Sequence, residues 1–399
     1  MTHRLLVPLA CVAALAASSR AATAQTAEAG SVGFYVTARS DFDPWTSSPT
    51  PREQEWMREH YDRMLTYSPY FDSRLEWFPD AWFYENAYAI YPGSDVVVDH
   101  PEWILKDGDG RMLYIPYGCS GGTCPQYAGD VGHPGFRRHW IENAARTLAE
   151  GYRGIFIDDV NMAWRVSDGN GDRVAPRDPR TGRPMTLADW RRYMAEFLEL
   201  VRETFPDVEI VHNAIWYAVP TDDPFIARQQ RAADYIALER GATDRGIVAG
   251  DGRYGFDTFL SYIDRIHASG GRIILADDES EGLRERDYEL AVYFLVNQGA
   301  DLIGADGDRS RMNPDSFWEG YELELGAAMG PRYRTPEGLY SRDFACGRVL
   351  VNGPGRRVRT AQVSPTLRTF DEEERTGGRI ELEPSSAAIL VEEKCLPGA

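Results

Sequence analysis

The sequence predicts a (β/α)8 TIM barrel followed by a small C-terminal antiparallel β domain. Three observations carry this reading. Short apolar runs alternate with amphipathic stretches eight times. Many of those runs end in a carboxylate. From about Arg334 the texture changes to short alternating strands separated by turn residues.

The first strand is expected at Ser31–Ala38, and a helix opens at Pro51 and runs to about Tyr67, with proline at its first turn. Trp82–Tyr88 reads as the second strand. Met112–Tyr117 reads as the third, entered through the turn Asp107-Gly108-Asp109-Gly110. A helix with apolar Phe136, Trp140, Ile141, Ala144 and Leu148 spans Pro134–Gly151.

Gly154-Ile155-Phe156-Ile157-Asp158-Asp159-Val160-Asn161 is the fourth strand and its exit. A short apolar run of this kind is buried on both faces, as in parallel sheets. Two carboxylates at its C-terminal end emerge where parallel α/β folds do their chemistry. Alternation puts Phe156 and Asp158 on one face and Ile157 and Asp159 on the other, so Asp158 is the expected mouth-facing residue. A polar excursion covers Ser167–Pro184, and a helix spans Leu187–Phe205.

Glu209–Asn213 is the fifth strand, Asp222–Ala233 a helix, and Asp234–Glu239 the sixth strand. Phe256–Ser269 is a helix, Arg272–Asp278 the seventh strand, Arg284–Gly299 a helix, and Asp301–Asp306 the eighth strand. No glycine-rich phosphate turn follows the first strand, which weakens a dinucleotide-binding open sheet. In the tail, Arg348–Asn352, Val358–Val363 and Ala387–Val391 are strands, and the charged run Asp371–Arg375 is a hairpin tip.

Residues 1–24 have the pattern of a secretory signal: a basic start at His3 and Arg4, an apolar stretch from Leu5 to Ala17, and Ala22-Thr23-Ala24 before the cut. The barrel is then expected over residues 25–333 and the β domain over 334–399. Secretion or export to a bacterial periplasm follows, with no membrane span and a monomer as the expected state. In an oxidising compartment Cys119 and Cys124 are expected to close a local loop, and Cys346 and Cys395 to tie the ends of the C-terminal segment.

The net charge of −19 argues against nucleic acid or an anionic membrane as partner. The ten Trp and twenty-one Tyr suit both core packing and sugar faces, and composition does not separate the two uses.

The strand ends gather chemistry: Asp158 and Asp159, His212 and Asn213, Glu239, Asp277 and Asp278, and Asp306. Crowded carboxylates in a partly desolvated mouth separate into a proton donor and an ionised partner. Glycosidic cleavage requires that pair. Tyr84 and Glu85 lie in the second predicted strand as candidate substrate contacts, and Trp164, Trp216 and Trp45 follow other strands as candidate sugar floors. Asp168, Asn170 and Asp172 alternate like calcium ligands, but Arg173 and Pro179 occupy the positions where such a loop needs Gly and Glu. The expectation is therefore carboxylate chemistry on a carbohydrate, with no metal and no cofactor. A non-catalytic carbohydrate-binding barrel and a metal-dependent hydrolase are the competing readings.

The segment Gly154–Asn161 resembles the Gly-[Val/Ile]-Phe-[Leu/Ile]-Asp-[Asn/Asp]-Val strand of hypothetical glycosyl hydrolases of the barrel type, near the polygalactosaminidase-like enzymes. His100–Gly110, Gly129–Arg137, Ala237–Gly241 and Cys346–Asn352 look like further segments of that group. The resemblance implies a retaining or inverting glycosidase with Asp158 as nucleophile or base and Glu239 as general acid. It also implies Asp130 as a sugar contact, and it puts Asp159 where Asn is the frequent choice.

Overall fold

A computed structural model of the chain describes residues 29–214, 222–277, 283–305, 312–370 and 378–395. Eight parallel strands form one sheet in sequence order. They are β1 (Tyr35–Thr37), β2 (Arg63–Thr66), β3 (Ala81–Asn86), β4 (Gly154–Asp158), β5 (Glu209–Asn213), β6 (Tyr235–Leu238), β7 (Arg272–Asp277) and β8 (Leu302–Ala305). A parallel bridge between Phe34 and Ile303 brings the last strand back beside the first. This is the expected (β/α)8 barrel.

Alternation along each strand builds two apolar layers. Tyr35, Leu65, Trp82, Phe156, Val211, Tyr235, Ile274 and Leu302 fill the barrel interior. Ile155, Ile157, Ile210, Ile236, Ile273 and Ile303 face outward into the helices. Those helices are α1 (Pro51–His60), α2 (Pro134–Leu148), α3 (Leu187–Thr204), α4 (Pro224–Arg231), α5 (Phe256–Ala268) and α6 (Leu283–Val296). Reciprocal capping boxes start α1, through Thr50 and Glu53, and α3, through Thr186 and Asp189. Such caps satisfy N–H groups that the first turn leaves unpaired.

Two expectations fail, and their errors cancel in the strand count. The helix expected to run to Tyr67 stops at His60, and Arg63–Thr66 is β2, with Met64 outward and Leu65 inward. Met112–Tyr117 is not a barrel strand. It belongs to the long excursion between β3 and α2, where Tyr114 bridges Tyr127 and Ser167. That excursion also carries the short ribbon Ala89–Ile90 against Tyr127–Ala128 and the disulfide Cys119–Cys124. Paired hydrogen bonds of 2.9 Å between Tyr114 and Ser167 join it to the excursion that follows β4.

The C-terminal part forms a five-stranded antiparallel sheet and a two-stranded ribbon. The strands are β9 (Tyr333–Arg334), β10 (Tyr340–Phe344), β11 (Gly347–Asn352), β12 (Arg359–Val363), β13 (Leu367–Thr369), β14 (Gly378–Leu382) and β15 (Ser386–Glu392). The sheet order is β9-β10-β11-β15-β13, and β12 pairs with β14. Cys346 is bonded to Cys395, closing a separation of 49 residues. Helix α6 joins this sheet to the barrel: buried Arg342 donates to the carbonyls of Phe294 at 3.0 Å and Asn297 at 2.6 Å. Residues 1–24 and the charged run 371–375 lie outside the described residues. Among the described residues no helix is long and apolar enough to cross a membrane.

Candidate active site

The C-terminal strand ends surround a cavity of about 500 Å³. Its walls include Tyr35 and Thr37 from β1, Leu65 from β2, Tyr84 and Asn86 from β3, Phe156 and Asp158 from β4, Asn213 from β5, Ala237 from β6 and Ala276 from β7. Glu239 and Arg240, just past β6, Asp159 and Arg165, past β4, and Arg39, Tyr67, Tyr117 and Gln126 add further polar groups. In-phase alternation explains the membership, since each strand contributes every second residue to the interior.

Asp158 stands at the centre and is held by three donors. The Tyr84 hydroxyl donates to Oδ2 at 2.6 Å, and the Asn213 amide and the Asp159 backbone N–H donate to Oδ1 at 2.9 and 2.7 Å. Burial and the adjacent Asp158 carboxylate push the Tyr84 hydroxyl well above its ordinary range, so it stays protonated and donates. The same Asn213 nitrogen donates to Glu239 Oε2 at 3.2 Å. One nitrogen thus lies 2.9 Å from an oxygen of Asp158 and 3.2 Å from an oxygen of Glu239, which keeps those two oxygens within about 6 Å of each other.

Asp159 is built differently. Its backbone sits at φ 56°, a left-handed conformation that non-glycine residues other than Asn and Asp rarely adopt. Asn86 donates to its Oδ2 at 2.8 Å, and Asn161 and Arg165 donate to its Oδ1 at 3.0 Å each. Burial and the neighbouring Asp158 charge nevertheless hold its carboxyl above the usual carboxylate range. Asp159 is therefore enclosed and saturated with donors, whereas Asp158 is partly open to the cavity.

The chain carrying Glu239 is anchored from the side. Both oxygens of buried Glu289, on α6, accept the Ala242 N–H, at 3.0 and 2.8 Å. Gly241 turns there at φ 54°, and a Cβ at that position would fall 2.0 Å from Glu289 Oε1. Only glycine fits between Glu239 and its anchor.

Several expected site residues lie elsewhere. His212 points outward from β5, fully buried, with Nδ1 2.9 Å from the Gln229 amide. Burial, with Arg202 nearby, lowers its pKa to about 3, so it remains neutral and does not line the cavity. Asp130 is also buried and does not line the cavity. Arg180 grips both of its oxygens at 2.9–3.1 Å, and Gly132 N–H is a second partner at 3.0 Å. Its role in the structure is to tie the loop before α2 to the excursion after β4.

Glu85 alternates to the outer side of β3, and burial raises its carboxyl to about 7. Trp164 packs partly buried against the outer core, and Trp45 donates to Asp315 at 3.0 Å. The Asp168 carboxylate accepts the N–H groups of Asn170 and Asp172 at 2.8 and 3.1 Å, closing an Asx turn. Among the described residues no group of three or more His, Cys, Asp or Glu is placed to hold a metal. Asp277 ends β7 beside Ala276, and Trp216, Asp278 and Asp306 lie outside the described residues.

The sequence reading missed Asn86, Arg165, Asn161, Tyr67, Tyr117 and Gln126. Asn86 was detectable, because it stands in phase with Trp82 and Tyr84 at the end of β3. Arg165 and Gln126 reach the site from excursions with no periodic signal.

The class these features define is a glycosidase barrel: a closed parallel barrel whose strand ends bring together carboxylates, amides and tyrosines. A family model, hypothetical glycosyl hydrolase family 15, matches residues 70–348, and the chain belongs to that family. A search of curated proteins finds no match.

Among solved structures, a MutB variant in complex with the substrate sucrose superposes with a TM-score of 0.52 at 11% identity, covering 92% of this chain and 99% of that one. An α-amylase from Lactobacillus plantarum gives 0.49 at 11% identity over 92% and 99%. The glycoside hydrolase domain of PelA from Pseudomonas aeruginosa, as a variant, gives 0.43 at 14% identity over 69% and 95%. At such identities the likeness concerns the fold alone.

Proposed function

We propose that this glycosidase is a secreted enzyme that cleaves an O-glycosidic bond in a poly- or oligosaccharide with Asp158 and Glu239. The observation that carries the reading is the Asn213 amide, which donates to both carboxylates and sets their spacing. Asp158 is the nucleophile: it is oriented by Tyr84, Asn213 and its own following N–H, and it is partly open to the cavity. Glu239, exposed two strands along the rim, is the acid that protonates the leaving oxygen and then the base that activates water.

A nearest-oxygen spacing within about 6 Å favours the retaining arrangement, in which the carboxyl groups stand ~5–5.5 Å apart, over the inverting one at ~6.5–9.5 Å. Asp159, held by Asn86, Asn161 and Arg165, supports its neighbour and is not the attacking group. Residues 1–24 act as the export signal, residues 25–333 as the catalytic unit and residues 334–399 as an appended β domain of a monomeric protein.

The test is a glycan panel that includes polygalactosamine, which the sequence resemblance selects, assayed with wild type, Asp158→Asn and Glu239→Gln. Loss of hydrolysis in both variants, with unchanged melting, is the expected result. Activity surviving in both variants would overturn the assignment. The anomeric configuration of the first-formed product, followed by NMR, decides between retention and inversion.

A further inference from the structure

Two of the four strongly exposed tyrosines among the described residues lie on one rim of the cavity. Tyr117 is 67% exposed and lines the mouth, and Tyr91 is 52% exposed just outside it. They are carried by neighbouring segments of the excursion between β3 and α2. Gln126, also a cavity-lining residue, joins these segments: its amide donates to the Tyr91 hydroxyl at 3.2 Å, and its carbonyl accepts Ile115 N–H at 3.0 Å, two residues before Tyr117.

The support is stiff. Tyr114 and Tyr127 stack beneath it with centroids 4.7 Å apart, and Cys119–Cys124 closes the loop immediately after Tyr117. Two further cavity-lining tyrosines, Tyr67 and Tyr84, lie with ring centroids 5.1 Å apart. Exposed apolar surface gathered in one place marks an interaction site, whereas scattered single rings do not. A braced loop here brings two exposed rings together beside the cavity.

We propose that Tyr91 and Tyr117 form a glycan-binding platform that extends the cleft beyond the cavity, so that a polysaccharide chain is gripped outside the mouth and cut internally. The occupant is the substrate chain itself, because the rim is continuous with the cavity through Tyr117 and Gln126. Flat phenol faces match the C–H faces of pyranose rings, and the Tyr hydroxyls and the Gln126 amide supply polar partners for ring hydroxyls. The platform rests on the function proposed above, but its test does not require turnover.

In native affinity electrophoresis the Asp158→Asn protein is run through gels containing polygalactosamine, chitosan, amylose or dextran. It is compared with Asp158→Asn carrying Tyr91→Ala and Tyr117→Ala, and with Asp158→Asn carrying Tyr333→Ala, which removes an exposed tyrosine of β9. At least one polymer is expected to retard the first protein, with an apparent affinity weakened about tenfold in the double-tyrosine variant and unchanged in the Tyr333 control. Equal retardation of all three, or retardation of none by any polymer, overturns the platform. Retardation that depends on Tyr91 and Tyr117, with no hydrolysis of that polymer by wild type, supports the platform and instead counts against the proposed chemistry.

Discussion

The two ends of the barrel treat carboxylates in opposite ways. At the N-terminal end, Glu209 opens β5 and is held by two cations and a neutral donor: Arg63 donates to both of its oxygens at 2.7 and 2.8 Å, Arg153 at 2.9 Å and the Trp82 indole at 2.9 Å. Burial works against its charge, but these donors outweigh burial and hold its pKa at about 2. At the C-terminal end, Asp158, Asp159 and Glu239 share one cavity whose close hydrogen bonds come mainly from neutral donors, and burial raises Asp159 above its ordinary range. One end holds its charge throughout the neutral pH range. The other gathers three carboxylates at one cavity, the kind of arrangement that glycosidic cleavage uses.

The largest expected effect lies at the upper end. Asp158→Asn should lower kcat by at least ~10³-fold while leaving the melting temperature unchanged, because the amide oxygen can keep the Asn213 and Asp159 N–H groups while the Tyr84 hydroxyl turns to accept from the new NH2. Steady-state kinetics beside calorimetry would show whether activity and stability separate there. At the lower end they should separate in the reverse sense. Glu209→Gln strands Arg63 and Arg153 and should cost ~2–4 kcal/mol of folding stability, with kcat altered less than about twofold.

The sign of the pH dependence distinguishes the ends further. The folded-state pKa of Glu209, about 2, lies below its ordinary 4.5. Its contribution is therefore present above about pH 4.5 and is lost as pH falls towards 2, and urea titrations of wild type and Glu209→Gln should converge in acid.

A smaller effect is expected at Asp159→Asn. The new amide presents a donor to one of Asn86, Asn161 or Arg165, and removal of a like charge from the mouth should shift the acid limb of kcat/KM to lower pH. About a tenfold loss in kcat is the expected size. A limb that stays in place would show that Asp159 is neutral in the working enzyme.

The smallest effect concerns Glu85, behind the mouth. Its folded-state value, about 7, lies above its ordinary 4.5, so the native state loses stability as pH rises through that window. Glu85→Gln should therefore raise the melting temperature by about 2–4 °C at pH 8 and by much less at pH 5.

The legible parts of the sequence were those where burial leaves a pattern. Glu209–Asn213 was read with its observed bounds, and β4, β6 and β7 to within a residue or so, because two-sided burial writes a continuous apolar run. β2 was lost because Met64 and Leu65 fall in phase with the helix before them and the strand is only four residues long. Met112–Tyr117 imitates a barrel strand because Leu113 and Ile115 are buried and alternate with half-exposed neighbours. That alternation serves the excursion over the mouth instead.

Strand ends yielded Asp158, Asn213, Tyr84 and Glu239 at the cavity. The same logic overreached at His212 and Glu85, where a single step along the strand turns the side chain from the mouth to the helices. Arg165, Tyr117 and Gln126 arrive on irregular chain, whose path no periodicity encodes.

The left-handed turn at Asp159 also fixes a local alphabet. A backbone at φ 56° admits glycine, asparagine and aspartate, and it penalises every β-branched or bulky side chain. A library saturated at this position should return those three letters from a screen for folded protein, and aspartate, with asparagine some way behind, from a screen for turnover. On the proposed assignment the two adjacent aspartates answer to separate rules: chemistry would constrain the first, and the handedness of the chain constrains the second.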